Sequence, residues 1–259
     1  MDASPLRDAL NVLLGLVTGM ASGAFGVGGA IISTPGVRLL GAPALVAVGT
    51  TLPSILPGAV AATARYARDG LVDWRVVATA APAGTAMAVA GSLASHAVPG
   101  DGHWLMVLSA VLLAVTAVRM AVPGERGPQL PRSPGHRRLA AIGVGTVAGL
   151  LSGLLGVGGG LVLVPGFTQV LGMQTVPAVA TSLACVGILA IPSTIAHAAL
   201  GDIDWRMATL LAVAVVPGAR LGAAAALGLG DRRLRLAVAA VLGAVAVAYG
   251  LGELAAAVS

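Results

Sequence analysis

The chain has 259 residues, of which 57% are hydrophobic, 10% charged and 3% aromatic, with 37 glycines and a formal net charge of +5. A soluble domain carries roughly 25% charged residues, so this composition excludes a soluble enzyme, a disordered chain and a secreted disulfide scaffold. It leaves a polytopic membrane protein, and a mean hydropathy of +0.95 agrees.

The apolar runs are continuous for about twenty residues, whereas barrel strands alternate apolar and polar positions. The fold class is therefore an all-α, multi-pass helix bundle in the plasma (inner) membrane, with the lipid bilayer as its first partner. In chain order, four apolar segments run near 9–40, 44–64, 75–95 and 104–122. Residues 123–138, PGERGPQLPRSPGHRR, form a polar linker with four prolines and four arginines. Four further apolar segments run near 139–171, 175–199, 207–229 and 234–252. The expected organisation is a first transmembrane unit at 1–122, the linker at 123–138 and a second unit at 139–259.

The two units are copies. Residues 15–36 read GLVTGMASGAFGVGGAIISTPG and residues 145–166 read GTVAGLLSGLLGVGGGLVLVPG, with eleven identities at an offset of 130. At an offset of 131, Thr50 pairs with Thr181, and Gly70, Asp73, Trp74 and Arg75 pair with Gly201, Asp204, Trp205 and Arg206. Such periodic self-similarity marks duplication. It also rules out a cleaved signal peptide at 9–21, because the same sequence recurs in mid-chain.

All fifteen basic residues are arginines. They sit mostly in short loops, where they orient helices rather than bind nucleic acid. The first segment of each copy is about thirty residues long, although roughly 20 suffice to cross. If it crosses once, the arginine split between the linker side and the far side is ten to four. If it is a re-entrant hairpin, the copies are inverted and the split is eleven to three. Both readings put the linker in the cytoplasm. The steeper split favours the hairpin, inverted repeats and both termini on the outer face.

Candidate site residues follow from what apolar helices tolerate badly. Gly23, Gly26, Gly28 and Gly29 interrupt the first segment; Gly153, Gly156, Gly158, Gly159 and Gly160 interrupt its twin. Each interior glycine costs a helix roughly 1 kcal/mol against alanine, so these clusters predict local unwinding. Unwound backbone at membrane depth persists only where it lines a cavity or is buried in protein. A helix restarting after such a break offers N–H groups to an anion. Ser22 and Ser152 precede the breaks and add hydroxyls. Close helix packing through small residues is the competing reading.

Thr50 and Thr51, matched by Thr181 and Ser182, are candidate donors to a polar substrate, with back-bonding to helix carbonyls as the alternative. Arg220 lies well inside 207–229, and its positional twin is Thr85. It is expected to contact an anion or gate, with snorkelling as the alternative. His197 and its twin Tyr66 lie near segment ends, where His197 fits an interfacial role better than that of a proton carrier, the alternative its chemistry permits. Asp73 and Asp204 suit N-caps, and Trp74 and Trp205 suit the interfacial aromatic belt.

No Asp or Glu lies mid-segment, the four histidines are scattered, and Cys185 is the one cysteine. No metal site, cofactor site, disulfide or catalytic set is therefore expected. GVGGG is not a dinucleotide loop, because Leu161 stands where a third glycine is needed. Hydroxyls, N–H groups and Arg without carboxylates predict a cavity for a small anion.

The paired S-G-x-x-G-x-G-G-G motif with a proline five residues on resembles that of the sulfite exporter TauE/SafE family of membrane transporters. The Ser152–Pro165 copy is close to the family form, while the first copy has Ala30 for the last glycine. The following Thr-Ser, the G-x-x-D-W turn and the glycine-rich 217–222 extend the resemblance over essentially the whole chain. It implies a carrier for sulfite, sulfonates or related oxyanions and organic acids. An anion channel and a permease for another small solute remain as alternatives.

Overall fold

A computed structural model describes residues 5–95, 103–121, 134–156 and 158–258. Ten helices occupy them: α1 (Pro5–Phe25), α2 (Ala30–Leu39), α3 (Ala44–Arg68), α4 (Trp74–Ser95), α5 (His103–Ala121), α6 (Pro134–Leu155), α7 (Gly160–Pro165), α8 (Thr175–Leu200), α9 (Trp205–Leu227) and α10 (Asp231–Val258). A π-helical turn, Gly166–Val170, continues α7. No strand occurs among the described residues. Every expected apolar segment is helical there, and six helices (α1, α3, α4, α6, α8 and α9) are long and apolar enough to cross a membrane. Most of the expected linker lies outside the described residues, and its last five residues already form the start of α6.

Helices α1 and α9 pack side by side, as do α4 with α6 and α5 with α10. Helix α3 packs on α8 and α9, and α8 also packs on α4. Glycines set the closest of these contacts. A Cβ on Gly145, Gly149 or Gly153 of α6 would lie 2.0–2.2 Å from the carbonyl oxygens of Ala80, Gly84 and Ala88. On α1, a Cβ at Gly19 or Gly23 would lie 2.3 or 2.1 Å from those of Val215 and Ala219. No side chain fits such a gap. Apolar helices in lipid gain little by burying more apolar surface, so backbone approach through small residues holds them together. In both pairs the contacts advance in the same chain direction, so the helices run parallel.

The turns join distant parts of the sequence. The Thr50 hydroxyl accepts the Asp204 N–H at 2.9 Å, and the Thr181 hydroxyl accepts the Asp73 N–H at 3.0 Å. Both aspartates cap the following helices. Asp73 accepts from the backbones of Arg75 and Val76, and Asp204 from those of Arg206 and Met207. At one end of the bundle Arg137 pairs with Asp73, and the Asp231 side chain accepts the Thr175 N–H. At the other end Arg206 pairs with Asp8, and Arg7 donates to the Leu40 carbonyl. These clusters lie at opposite ends of α8, which is 26 residues and roughly 39 Å long.

Candidate functional site

The glycine breaks reverse the chain. Gly26, Gly28 and Gly29 adopt φ of 71°, 83° and 71°, and Gly156, Gly158 and Gly159 adopt 65°, 76° and 70°. Other L-residues rarely hold this left-handed region, so three such positions in four end one helix and start another in a new direction. Helix α2 then returns alongside α1: a Cβ at Gly29 would touch Thr18 and Ser22, one at Gly36 would touch Leu14, and Leu40 meets Arg7. Helix α7 returns along α6 in the same register, Gly159 against Ala148 and Gly166 against Val144. Each broken segment is an antiparallel hairpin with glycine at its tip.

The two tips meet. A Cβ on Gly158 would lie 3.7 Å from the Gly28 Cα, and one on Gly160 would lie 2.6 Å from the Gly26 carbonyl oxygen. Each tip also packs against the helix that follows the other hairpin: Gly26 against Val179 and Ser182 of α8, and Gly156 against Val48 of α3. The Ser182 hydroxyl donates to the Gly26 carbonyl at 2.8 Å. Val27 and Ala30 are buried, as are the tip glycines among the described residues.

Beside the tips, buried hydroxyls form a short chain. Thr34 and Thr51 share a hydrogen bond of 3.1 Å, Thr51 donates to the Val48 carbonyl, and Ser54 donates to the Thr51 carbonyl. Ser33 lies over the Gly29 carbonyl. Ser33, Thr34 and Ser54 escaped the sequence reading because their twins, at offsets of 130 and 131, are Leu163, Val164 and Cys185. The available signal was a polar pair, Ser33-Thr34, inside an apolar run.

The expected site residues divide into groups. The tips bring together Gly26, Gly28, Gly29, Gly156, Gly158, Gly159, Gly160 and Ser182, with Thr51 close by on α3. Ser22 and Ser152 are buried just before the breaks, and Ser152 Oγ has no partner among the described residues. Gly23 and Gly153 serve helix contacts rather than the tips. Thr50 and Thr181 use their oxygens to accept the turn N–H groups, so their first role is to brace the fold. Arg220 is not brought to the tips: Gly218, Ala219 and Gly222 take the α1-facing side of α9, which leaves the Arg220 side chain exposed on the outer side.

His197 is not interfacial. It is fully buried, with Nδ1 2.9 Å from an Asp202 carboxylate oxygen and Nε2 3.3 Å from the Gly153 carbonyl oxygen. Its twin Tyr66 is also fully buried and donates to the Gly23 carbonyl at 2.8 Å. Trp74 and Trp205 are half exposed at opposite ends of the bundle, as belt residues are. Among the described residues, no group of three or more His, Cys, Asp or Glu side chains is gathered to hold a metal ion.

A family model described as sulfite exporter TauE/SafE matches residues 11–249. The chain belongs to the TauE/SafE family. It is therefore a multi-pass membrane transporter. Among its relatives, a probable membrane transporter of Xylella fastidiosa is 30% identical over 218 residues, covering 80% of each chain. The probable membrane transporter YunE of Bacillus subtilis is 24% identical, covering 82% of this chain and 84% of its own. A probable membrane transporter of Methanocaldococcus jannaschii is 24% identical, covering 90% and 92%. No solved structure matches this TauE/SafE chain.

Proposed function

We propose that this transporter is a secondary carrier for small anions, with sulfite, sulfonates and related oxyanions or organic acids as its substrate class. The observation that carries the reading is the meeting of the two glycine tips, where α2 and α7 restart facing one another. Two helix N-termini converging on one point, beside the hydroxyls of Thr34, Thr51, Ser54 and Ser182, suit an anion. Discontinuous helices whose N-termini meet substrate are a recurrent carrier arrangement. Backbone at the tips is sheltered by protein, as it must be at membrane depth. Because the tips are packed and buried, a carrier that opens them alternately fits better than a continuously open anion channel.

The reading includes an inverted two-fold plan, with each copy a re-entrant hairpin followed by three further segments. Reciprocal packing of α1 on α9 and α6 on α4 supports it, as do the exchanged Thr–Asp turn bonds. With the linker in the cytoplasm, both termini lie on the outer face of the plasma membrane. In this reading the substrate is carried across chemically unchanged.

Counterflow tests the proposal. Liposomes containing the purified protein and preloaded with unlabelled sulfite should take up labelled sulfite transiently, and methanesulfonate should compete. Uptake of an uncharged solute or a cation, with neither anion exchanged, overturns it.

A further inference from the structure

We propose that His197, with Asp202, is a proton-binding site that couples proton movement to transport by latching the second hairpin; this rests on the carrier reading above. Both ring nitrogens of His197 face acceptors, the Asp202 carboxylate at 2.9 Å and the Gly153 carbonyl at 3.3 Å. A carbonyl oxygen has no proton to give, so Nε2 must carry one for that bond to exist. The Nδ1–Asp202 bond then needs a second proton, held by either partner. With both protons present, both bonds are made. When one proton leaves, the pair goes from net neutral to one negative charge. The remaining proton stays on Nδ1, where the carboxylate holds it in a charge-assisted bond. The Nε2 lone pair then faces the Gly153 oxygen, and the latch is lost.

The position of the latch gives it leverage. Gly153 lies three residues before the tip glycine Gly156 and packs against Ala88 and Ser92 of α4. The first hairpin holds the matched carbonyl, Gly23, with the Tyr66 phenol. A phenol donates at any physiological pH, so one hairpin has a fixed latch and the other a titratable one. The elements packed around the pair bring further groups to it. From α3, Gly49 packs on Asp202 and Thr50 is bound to the Asp204 N–H. From α9, the Asp204 carboxylate is engaged as an N-cap. Arg206 is paired with Asp8 of α1 at 2.5 Å. The packed faces of α4 and α6 offer Ser92, Ser152 and Gly153, all uncharged. Asp202 is 7% exposed in the α8–α9 turn, so protons reach the pair from that end of the bundle.

Hydrogen exchange compared between the two hairpins of one sample tests the latch without any substrate. The ratio of exchange at 156–164 to that at 26–34 cancels the intrinsic pH dependence of the chemistry. Loss of one bond should raise this ratio by about 3- to 10-fold as pH rises and the proton leaves. His197→Tyr, which installs the first hairpin's latch, should flatten it. A flat ratio in the wild type overturns the proposal, whatever the protein carries.

The second arm uses methanesulfonate, a strong-acid anion that brings no proton of its own. In liposomes reporting internal pH, the wild type should move protons with it, and His197→Tyr and Asp202→Asn should exchange it without proton movement. Methanesulfonate exchange by the wild type without proton movement also overturns the proposal. If the wild type exchanges no anion at all, the carrier reading fails by itself, and the exchange ratio still decides the latch.

Discussion

Replacing Gly160 by alanine tests whether the substrate site forms where the hairpin tips meet. Gly160 opens α7, and an ideal Cβ there lies 2.6 Å from the Gly26 carbonyl oxygen and from the Val27 backbone carbons. Ordinary Cβ contacts begin at 3.4 Å, so the tips must part by about 0.8 Å. All three opposing atoms are backbone, which cannot swing aside as a side-chain end would. Overpacking of this kind costs roughly 1–3 kcal/mol, and the better helix propensity of alanine returns about 1 kcal/mol. The net loss of up to about 2 kcal/mol lowers the ratio of tips in contact to tips parted by up to roughly 30-fold. The matched position in the first hairpin is Ala30, which is fully buried. The substitution therefore places a residue the fold accepts in one copy at a point where the other copy has no room. Sulfite counterflow per folded molecule should fall by about that factor, while helix content and membrane insertion stay normal. Wild-type counterflow in Gly160→Ala, with folded protein at normal yield, would show that transport does not depend on the tip contact.

Other perturbations probe the frame. Thr181→Val removes the acceptor for the Asp73 N–H and should lower stability by about 1–3 kcal/mol, read as a drop in melting temperature. Gly149→Ala drives a methyl to 2.0 Å from the Gly84 carbonyl and should abolish folded protein. Gly143→Ala meets nothing within 4 Å and should be neutral or stabilise by up to about 1 kcal/mol. Arg220→Ala should leave counterflow per folded molecule near the wild-type value, because the side chain is exposed outside the bundle; a tenfold loss would put Arg220 in the substrate path. Tags at the N- and C-termini should both be reachable from outside intact cells, and an inaccessible C-terminal tag would refute the inverted arrangement.

The sequence disclosed features whose cause is local. Positive-φ glycines announce themselves, because a cluster of them inside an apolar run has few explanations. Asp73 and Asp204 read as N-caps from their place before each helix, and they act as such. Features whose partner is remote are not legible in the sequence. Thr50 and Thr181 looked available to substrate, yet each meets a turn N–H more than a hundred residues away. His197 looked interfacial because it stands near a helix end; the α6 carbonyl that meets it has no sequence signature. Arg220 drew attention by its charge alone. It lies seven residues before Leu227, the end of α9, about 10 Å along the axis, within reach of a snorkelling arginine.

Duplication itself explains one omission and points to where function departs from the frame. A search for matched pairs finds what both copies keep: glycine tips, turn bonds and helix contacts. These are the parts needed to build two interlocking hairpins. What the copies do not share cannot be found by such a search. Some of the differences lie beside the hairpins. Ser33, Thr34 and Ser54 line the first copy where Leu163, Val164 and Cys185 stand in the second. Tyr66 holds one hairpin carbonyl, and His197, itself bonded to Asp202, holds the other. Polar capacity therefore sits beside the hairpin with the fixed latch, and charge capacity beside the hairpin with the titratable one. On the proposed reading, the first copy would offer hydroxyls to the anion, and the second would change its hold on its own hairpin with its proton count. The paired motif specifies the scaffold, and the unpaired residues beside it specify what the scaffold does.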